Sequence, residues 1–386
     1  MRRIVYFLGG LPGSELFTQD FGAMVWPELK HLLLGRYKEL ALAPNGTDPA
    51  PDGGIELLPN RTVYLVYGRA IERLRRDLDP ATWEVREWGW DWRKRATEAA
   101  TLLTAEIRRS SSAESPATLV AHSTGGIVCR LAYRSLKLAG DAALVRRIVT
   151  LGTPHRGTYD PVKVWSLCHE MTRQLLYLAN AVGVALLFSP AAPIARLWTP
   201  SGLAAVTATW PCLYDLLPYL YPNYQEQDPY RLYLFDASNW PADLGISQAH
   251  LDHARGITQP AMLDPDGLPP ASVLTTVGST GWLTHSALNA PSAIGKCGAM
   301  AVSGLGDDTV TIDSSVLAHS RQVIRADSHM SLPTTTSVNG DLTRWVLEDN
   351  PNPPPPPDKT AAGAPLPIVQ QWPPLCWPIP NPWIDC

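Results

Sequence analysis

The chain is short of several things, and each shortage excludes a class of protein. Cysteine is scarce: six in 386 residues, at positions 129, 168, 212, 297, 376 and 386, with no CxxC pair and no zinc-type spacing. A disulfide-framed mini-domain and a structural zinc module are thereby excluded, and no metal or cofactor is expected. Whether the cysteines pair or stay as free thiols is left open by their number. Charge of one sign is lacking too. Lys and Arg number 32 against 36 Asp and Glu, a formal net charge of -4. Nothing in that balance resembles the basic footprint of a nucleic-acid binder. The amino terminus has no long apolar run with a small-residue cleavage site. Met1-Arg2-Arg3 leads into Ile4-Val5-Tyr6-Phe7-Leu8 and then a glycine-rich turn. The run therefore reads as a core strand rather than a secretory signal, and a cytoplasmic location is the expectation.

One interior stretch, Leu175 to Leu197, is almost free of charge until Arg196 and approaches the length of a membrane span. Pro190 and Pro193 break it, and Asn180 and Gly183 sit inside it. A buried or interfacial cap helix is expected there instead. With 45% hydrophobic and 18% charged residues, the chain has the means to bury a large core.

What is present alternates. Residues 3–8 read as a strand, 91–109 as a helix opened by Asp91, 117–121 as a strand, 125–138 as a helix and 146–151 as a strand. The pattern resumes with strands at 272–277 and 322–325 and a final helix near 338–348. Strands separated by helices imply a mostly parallel sheet with right-handed crossovers. The interruption at 158–268, rich in Leu, Ala, Trp, Tyr and Pro, reads as an inserted, largely helical cap or lid. Residues 1–157 and 269–349 are then the core. From Asn350 onward about a third of the residues are proline, a composition that favours extended polyproline II and builds no core. Trp372, Trp377 and Trp383 in this 350–386 tail either dock on the domain or meet a protein partner; a disordered tail is the alternative.

The segment Leu119-Val120-Ala121-His122-Ser123-Thr124-Gly125-Gly126 carries the functional argument. An apolar strand ends, a serine follows, and a helix begins. A nucleophilic serine needs a sharp strand-to-helix turn that lifts its oxygen above the sheet, with small residues two before and two after it. Ala121 and Gly125 supply them, in an A-x-S-x-G variant of the usual G-x-S-x-G. A helix N-cap serine is the plainer alternative. The fold this implies is the α/β-hydrolase fold. Thr124 N–H, at the positive end of the new helix, is one expected oxyanion donor. The second should come from the turn Gly9-Gly10-Leu11-Pro12-Gly13 after the first strand, with Leu11 N–H as the candidate. The chain order of the fold places an acid next and a histidine last. Gly306-Asp307-Asp308-Thr309-Val310 offers the acid on a loop too poor in ligands for an EF-hand. His329, beyond the last strand, is the base; His319 precedes that strand and competes less well.

Five segments in this order resemble the lecithin:cholesterol acyltransferase and lysosomal phospholipase A2 group. They are Gly9 to Leu16, Asp91-Trp92-Arg93, the serine turn, Leu151 to Gly157 (L-G-T-P-H-R-G), and Gly306 to Val310. Trp210 to Pro218 is similar to a cap motif of bacterial relatives. The resemblance covers residues 3–345 and leaves the tail unmatched. It implies that Asp307, not Asp308, is the acid, and that acyl lipids are the substrates under a mobile lid. The secretory signal of the animal members is missing, and 158–268 is not recognisably their cap, so head group and acceptor do not carry over. Trp88, Trp90 and Trp92 read equally as acyl-pocket lining or as plain core. The expected chemistry is ester hydrolysis through an acyl-serine. Transfer to an alcohol is the alternative within that chemistry, and a catalytically dead binding scaffold the alternative outside it. An apolar cap further predicts contact with membrane or micelle surfaces.

Overall fold

The computed structural model describes residues 2–19, 22–28, 36–48, 55–166, 200–221, 228–295 and 300–348. The apolar stretch 175–197 and the proline-rich tail lie outside the described residues. Within them, no helix is long and apolar enough to cross a membrane.

The first strand, β1 (Arg3–Leu8), leads to a small antiparallel sheet of β2 (Ser14–Thr18), β3 (Met24–Trp26) and β4 (Leu57–Thr62). Helix α1 (Tyr64–Asp77), β5 (Trp83–Glu87), α2 (Ala96–Ser110), β6 (Ala117–His122), α3 (Thr124–Leu138) and β7 (Val145–Leu151) follow. Short helices then occupy the described parts of the insertion, among them Asp160–Trp165, Pro211–Asp215 and Gln248–His253. The chain returns with β8 (Leu274–Ser279), the antiparallel pair β9 (Trp282–Leu288) and β10 (Met300–Gly306), β11 (Arg321–Arg325) and α4 (Thr336–Leu347). The main sheet has the order β11-β8-β7-β6-β1-β5, and all its pairings are parallel.

Both faces of this sheet are covered, so its central strands are buried along nearly their whole length rather than alternating between buried and exposed residues. In β1, Ile4, Tyr6 and Leu8 pack on one face with α2 and α3 residues such as Leu103, Ile107, Ile127 and Leu131. Val5 and Phe7 point the other way, against Ile71 and Leu74 of α1 and Val338, Leu342 and Trp345 of α4. Cys129 and Cys212 are buried free thiols.

The sequence expectation errs in places. The helix expected from residue 91 starts only at Ala96. Asp91 does not cap it, because its carboxylate holds Arg93, with Arg93 Nε to Oδ1 at 2.9 Å and Nη2 to Oδ2 at 2.7 Å. The Ala96 N–H is instead accepted by Asp215, from the 210–218 motif, at 2.9 Å. The β2–β4 sheet, α1 with β5, and the β9–β10 pair are additions to the expected pattern.

Candidate active site

Ser123 follows the last residue of β6 and adopts φ 52° and ψ -129°, a conformation that non-glycine residues rarely take. The surrounding backbone enforces it. Ser123 N–H donates to Leu151 O at 2.8 Å, while Ser123 O accepts from Gly126 N–H at 3.0 Å and Thr153 Oγ1 at 2.8 Å. Such a turn fits only where neighbours are small. A methyl group at Gly10 would stand 2.5 Å from Ser123 Cβ, and one at Gly125 would stand 2.7 Å from Gly9 O.

His329 lies on the turn between β11 and α4. Its Nε2 is 2.9 Å from Ser123 Oγ and its Nδ1 is 2.7 Å from Asp307 Oδ2. Asp307, at the end of β10, is fully buried. Its second oxygen, Oδ1, accepts the N–H groups of Thr309 at 3.0 Å and Val310 at 2.6 Å. Asp307 O also accepts the His329 N–H at 2.8 Å, so the two residues are tied through backbone as well as side chain. Burial alone would lower the His329 pKa, but the adjoining Asp307 carboxylate outweighs it and raises the value above the ordinary 6.5. Asp308 points its side chain to solvent, at φ 82°. Its backbone is clamped between Thr284 Oγ1, which accepts its N–H at 3.0 Å, and Lys163 Nζ, which donates to its carbonyl at 3.0 Å. His319 lies apart from this chain of bonds, in the field of Arg130 and Arg156.

Leu11 is half-buried in the turn after β1, and Thr124 is the buried first residue of α3. The turn is braced by tryptophans: Trp90 Nε1 donates to Gly9 O at 3.0 Å and Trp92 Nε1 to Ser14 O at 2.9 Å. Trp92 also meets Trp26 and Trp210 edge to face, with centroids 5.5 and 5.0 Å apart. Trp90 and Trp92 are thus core residues that shape the turn, whereas Trp88 is only half-buried. Arg93 is wholly buried between Asp91 and Asp48. Residues that sequence reasoning missed include Tyr67, Thr153, Lys163 and Thr284. They sit in no motif of the reading, apart from Thr153 within L-G-T-P-H-R-G. A cavity of about 310 Å³ is lined by Tyr159, Arg231, His285 and the acid-loop flanks Leu305 and Thr311. None of Ser123, Asp307 and His329 lines it, so the site is defined by bond geometry.

No family model and no curated protein matches the chain. Solved structures do. A chain of the Tle4–Tli4 complex aligns over 89% of this chain and 98% of its own, with a TM-score of 0.51 and 13% identity. The fold is that of the α/β hydrolases. Looser alignments include the propeptide form of the Bacillus licheniformis lipase BlEst2 (TM-score 0.39, 14% identity, covering 91% of this chain and 52% of that one). Another is the Staphylococcus hyicus lipase (TM-score 0.33, 12% identity, 89% and 93%). At 13% identity the likeness to the Tle4–Tli4 chain concerns fold alone.

Proposed function

We propose that the protein is a serine hydrolase of acyl esters, with Ser123 as nucleophile, His329 as base and Asp307 as acid. The single observation carrying this is the unbroken chain Ser123 Oγ–His329 Nε2 (2.9 Å) and His329 Nδ1–Asp307 Oδ2 (2.7 Å) on a strained turn at the end of a central strand. His329 takes the serine proton as Oγ attacks the ester carbonyl. Asp307 keeps the Nδ1–H tautomer and stabilises the imidazolium that forms. Leu11 and Thr124 N–H groups hold the oxyanion. His329 then gives its proton to the leaving alcohol, and water repeats the sequence on the acyl-serine. Removing one oxyanion donor in such a site costs about 100- to 1,000-fold in rate.

Acyl lipids are the proposed substrates. The motif resemblance to the lecithin:cholesterol acyltransferase and lysosomal phospholipase A2 group supports this, as does the apolar composition of 158–268, read as a cap over the core of 1–157 and 269–349. The test is labelling by an active-site fluorophosphonate, wild type beside Ser123→Ala. Labelling is expected only in the wild type, and a labelled Ser123→Ala protein would refute the assignment. A chain-length series of nitrophenyl esters, below and above the micellar concentration and with or without an added alcohol, reads acyl preference, interfacial dependence and acceptor.

A further inference from the structure

Tyr67 belongs to α1, far along the chain from the nucleophile, and the proposed mechanism does not use it. Its hydroxyl nevertheless reaches the centre of the site. Tyr67 Oη accepts the Gly10 N–H at 2.9 Å and lies 3.0 Å from His122 Nδ1. The other nitrogen of that ring, His122 Nε2, is 3.0 Å from the carbonyl oxygen of His329. Both side chains are buried, and the His122 ring packs on Tyr67 and on His329 with centroids 5.6 and 4.7 Å away.

The direction of every proton in this chain follows from its ends. A carbonyl oxygen only accepts, so His122 Nε2 carries the hydrogen. Burial, reinforced by the neighbouring His329 ring, holds the His122 pKa well below 6.5 and the imidazole neutral. Nδ1 is therefore bare and accepts the Tyr67 hydroxyl proton. Burial raises the Tyr67 pKa, so the phenol keeps that proton to donate. The result is one ordered run: Gly10 N–H to Tyr67 Oη, Tyr67 O–H to His122 Nδ1, His122 Nε2–H to His329 O. Aligned bonds of this kind polarise one another.

We infer that Tyr67 and His122 are positioning residues whose hydrogen-bond chain sets the oxyanion turn and the backbone of the base against each other across the nucleophile. One end of the chain is Gly10, directly before the Leu11 N–H; the other is the backbone that carries the His329 ring; the middle residue precedes Ser123. An oxyanion donor acts only when it is aligned with the developing charge, and a displacement of about 1 Å in such a site costs on the order of 100-fold. Each end also has one further anchor: Gly10 O accepts Gly13 N–H at 2.7 Å, and His329 N–H donates to Asp307 O at 2.8 Å. Breaking the chain therefore loosens the site without dissolving it. This inference rests on the proposed hydrolase reading.

The test uses the full chain and a soluble nitrophenyl ester, with active sites counted by fluorophosphonate titration so that only assembled sites enter kcat. Tyr67→Phe keeps the ring and its contact with Phe7 at 5.6 Å. It is expected to lower kcat about 10- to 100-fold, with KM within about threefold of wild type. His122→Gln keeps a donor for His329 O, and His122→Asn keeps an acceptor for Tyr67. Both should retain more kcat than His122→Ala. Because Tyr67→Phe and His122→Ala break the same chain, the double variant should fall no more than about twofold below the worse single. The inference is overturned if Tyr67→Phe stays within about twofold of wild-type kcat. It is equally overturned if only KM moves or if the two losses multiply. Should His122→Ala not fold, Tyr67→Phe with the Gln and Asn variants decides. A wild type that neither labels nor hydrolyses sinks the hydrolase reading and the inference with it; an active wild type with an unaffected Tyr67→Phe sinks the inference alone.

Discussion

Asparagine in place of Asp307 removes a charge while keeping shape, and the structure dictates which way the new amide must face. Asp307 Oδ1 receives two backbone donors, Thr309 N–H at 3.0 Å and Val310 N–H at 2.6 Å. The amide oxygen has to stay there, since an NH2 group would confront two donors. The NH2 is then aimed at His329 Nδ1, 2.7 Å away in the parent chain. That nitrogen must become an acceptor, which moves the ring hydrogen to Nε2, facing Ser123 Oγ. The imidazole is held in the tautomer that cannot take the serine proton. The equivalent swap in a Ser-His-Asp triad lowers kcat about 10,000-fold, roughly 5.5 kcal/mol of barrier. The assay is initial-rate hydrolysis of nitrophenyl butyrate near neutral pH, with denaturant unfolding to confirm the fold. Asp308→Asn is the control. Its side chain is exposed, and asparagine accepts the φ of 82°, so activity should stay within about twofold of wild type. An Asp307→Asn rate within about tenfold of wild type would refute the reasoning. So would an equal loss in Asp308→Asn.

Four further outcomes are expected. The His329 imidazole must be neutral to act as base, and Asp307 outweighs burial to raise its pKa above 6.5, so kcat/KM should climb with pH through a midpoint above that value. Stability should move the opposite way: the folded pKa exceeds the unfolded one, so the contribution is full below about 6.5 and is lost as pH rises through the raised value. A Tm–pH series against His329→Gln reads this, and a constant difference rejects it. Gly10→Ala puts a methyl 2.5 Å from Ser123 Cβ and should slow fluorophosphonate labelling at least about 100-fold; labelling at the wild-type rate would show that the turn gives way. Arg93→Ala strands two carboxylates that ion-pair with Arg93 at 2.7 and 3.0 Å, Asp91 and Asp48, and should cost about 3–5 kcal/mol in denaturant unfolding. Lys94, 2.9 Å from Asp48, pulls the loss toward the lower figure, and a loss under about 1 kcal/mol contradicts the buried pairing.

The parts of the site legible in the sequence are those that local stereochemistry enforces. Ser123 is legible because a side chain lifted above a strand end requires Ala121 and Gly125 beside it. Asp307 and His329 can be picked out as candidates because each must leave a strand end on a loop in a known chain order, and the structure brings both into hydrogen-bond reach in line with Ser123. The start of helix α2 is not legible, because Asp91 before a helical pattern looks alike as a cap and as an ion-pair partner. Only the fold decides, by bringing Asp215 to the Ala96 N–H and leaving Asp91 to Arg93. The β9–β10 pair is illegible for a related reason. Its half-buried residues show no clean alternation, so period 2 does not stand out.

The least legible layer is the one that holds the reacting groups in place. Tyr67 reads as one more buried residue of an amphipathic helix, 55 positions from His122, which in turn is 207 positions from the carbonyl it meets. Lys163, which clamps the acid loop, is 145 positions from Asp308. This division has a physical cause. A reacting group must project from a turn, and a turn writes its needs into the residues beside it. A supporting group has only to be polar, buried and in reach, and reach is a property of the assembled sheet. Motifs in a fold of this kind therefore name the candidates for the reacting groups. How well they are aligned depends on contacts such as Gly10–Tyr67–His122–His329, whose members no spacing connects.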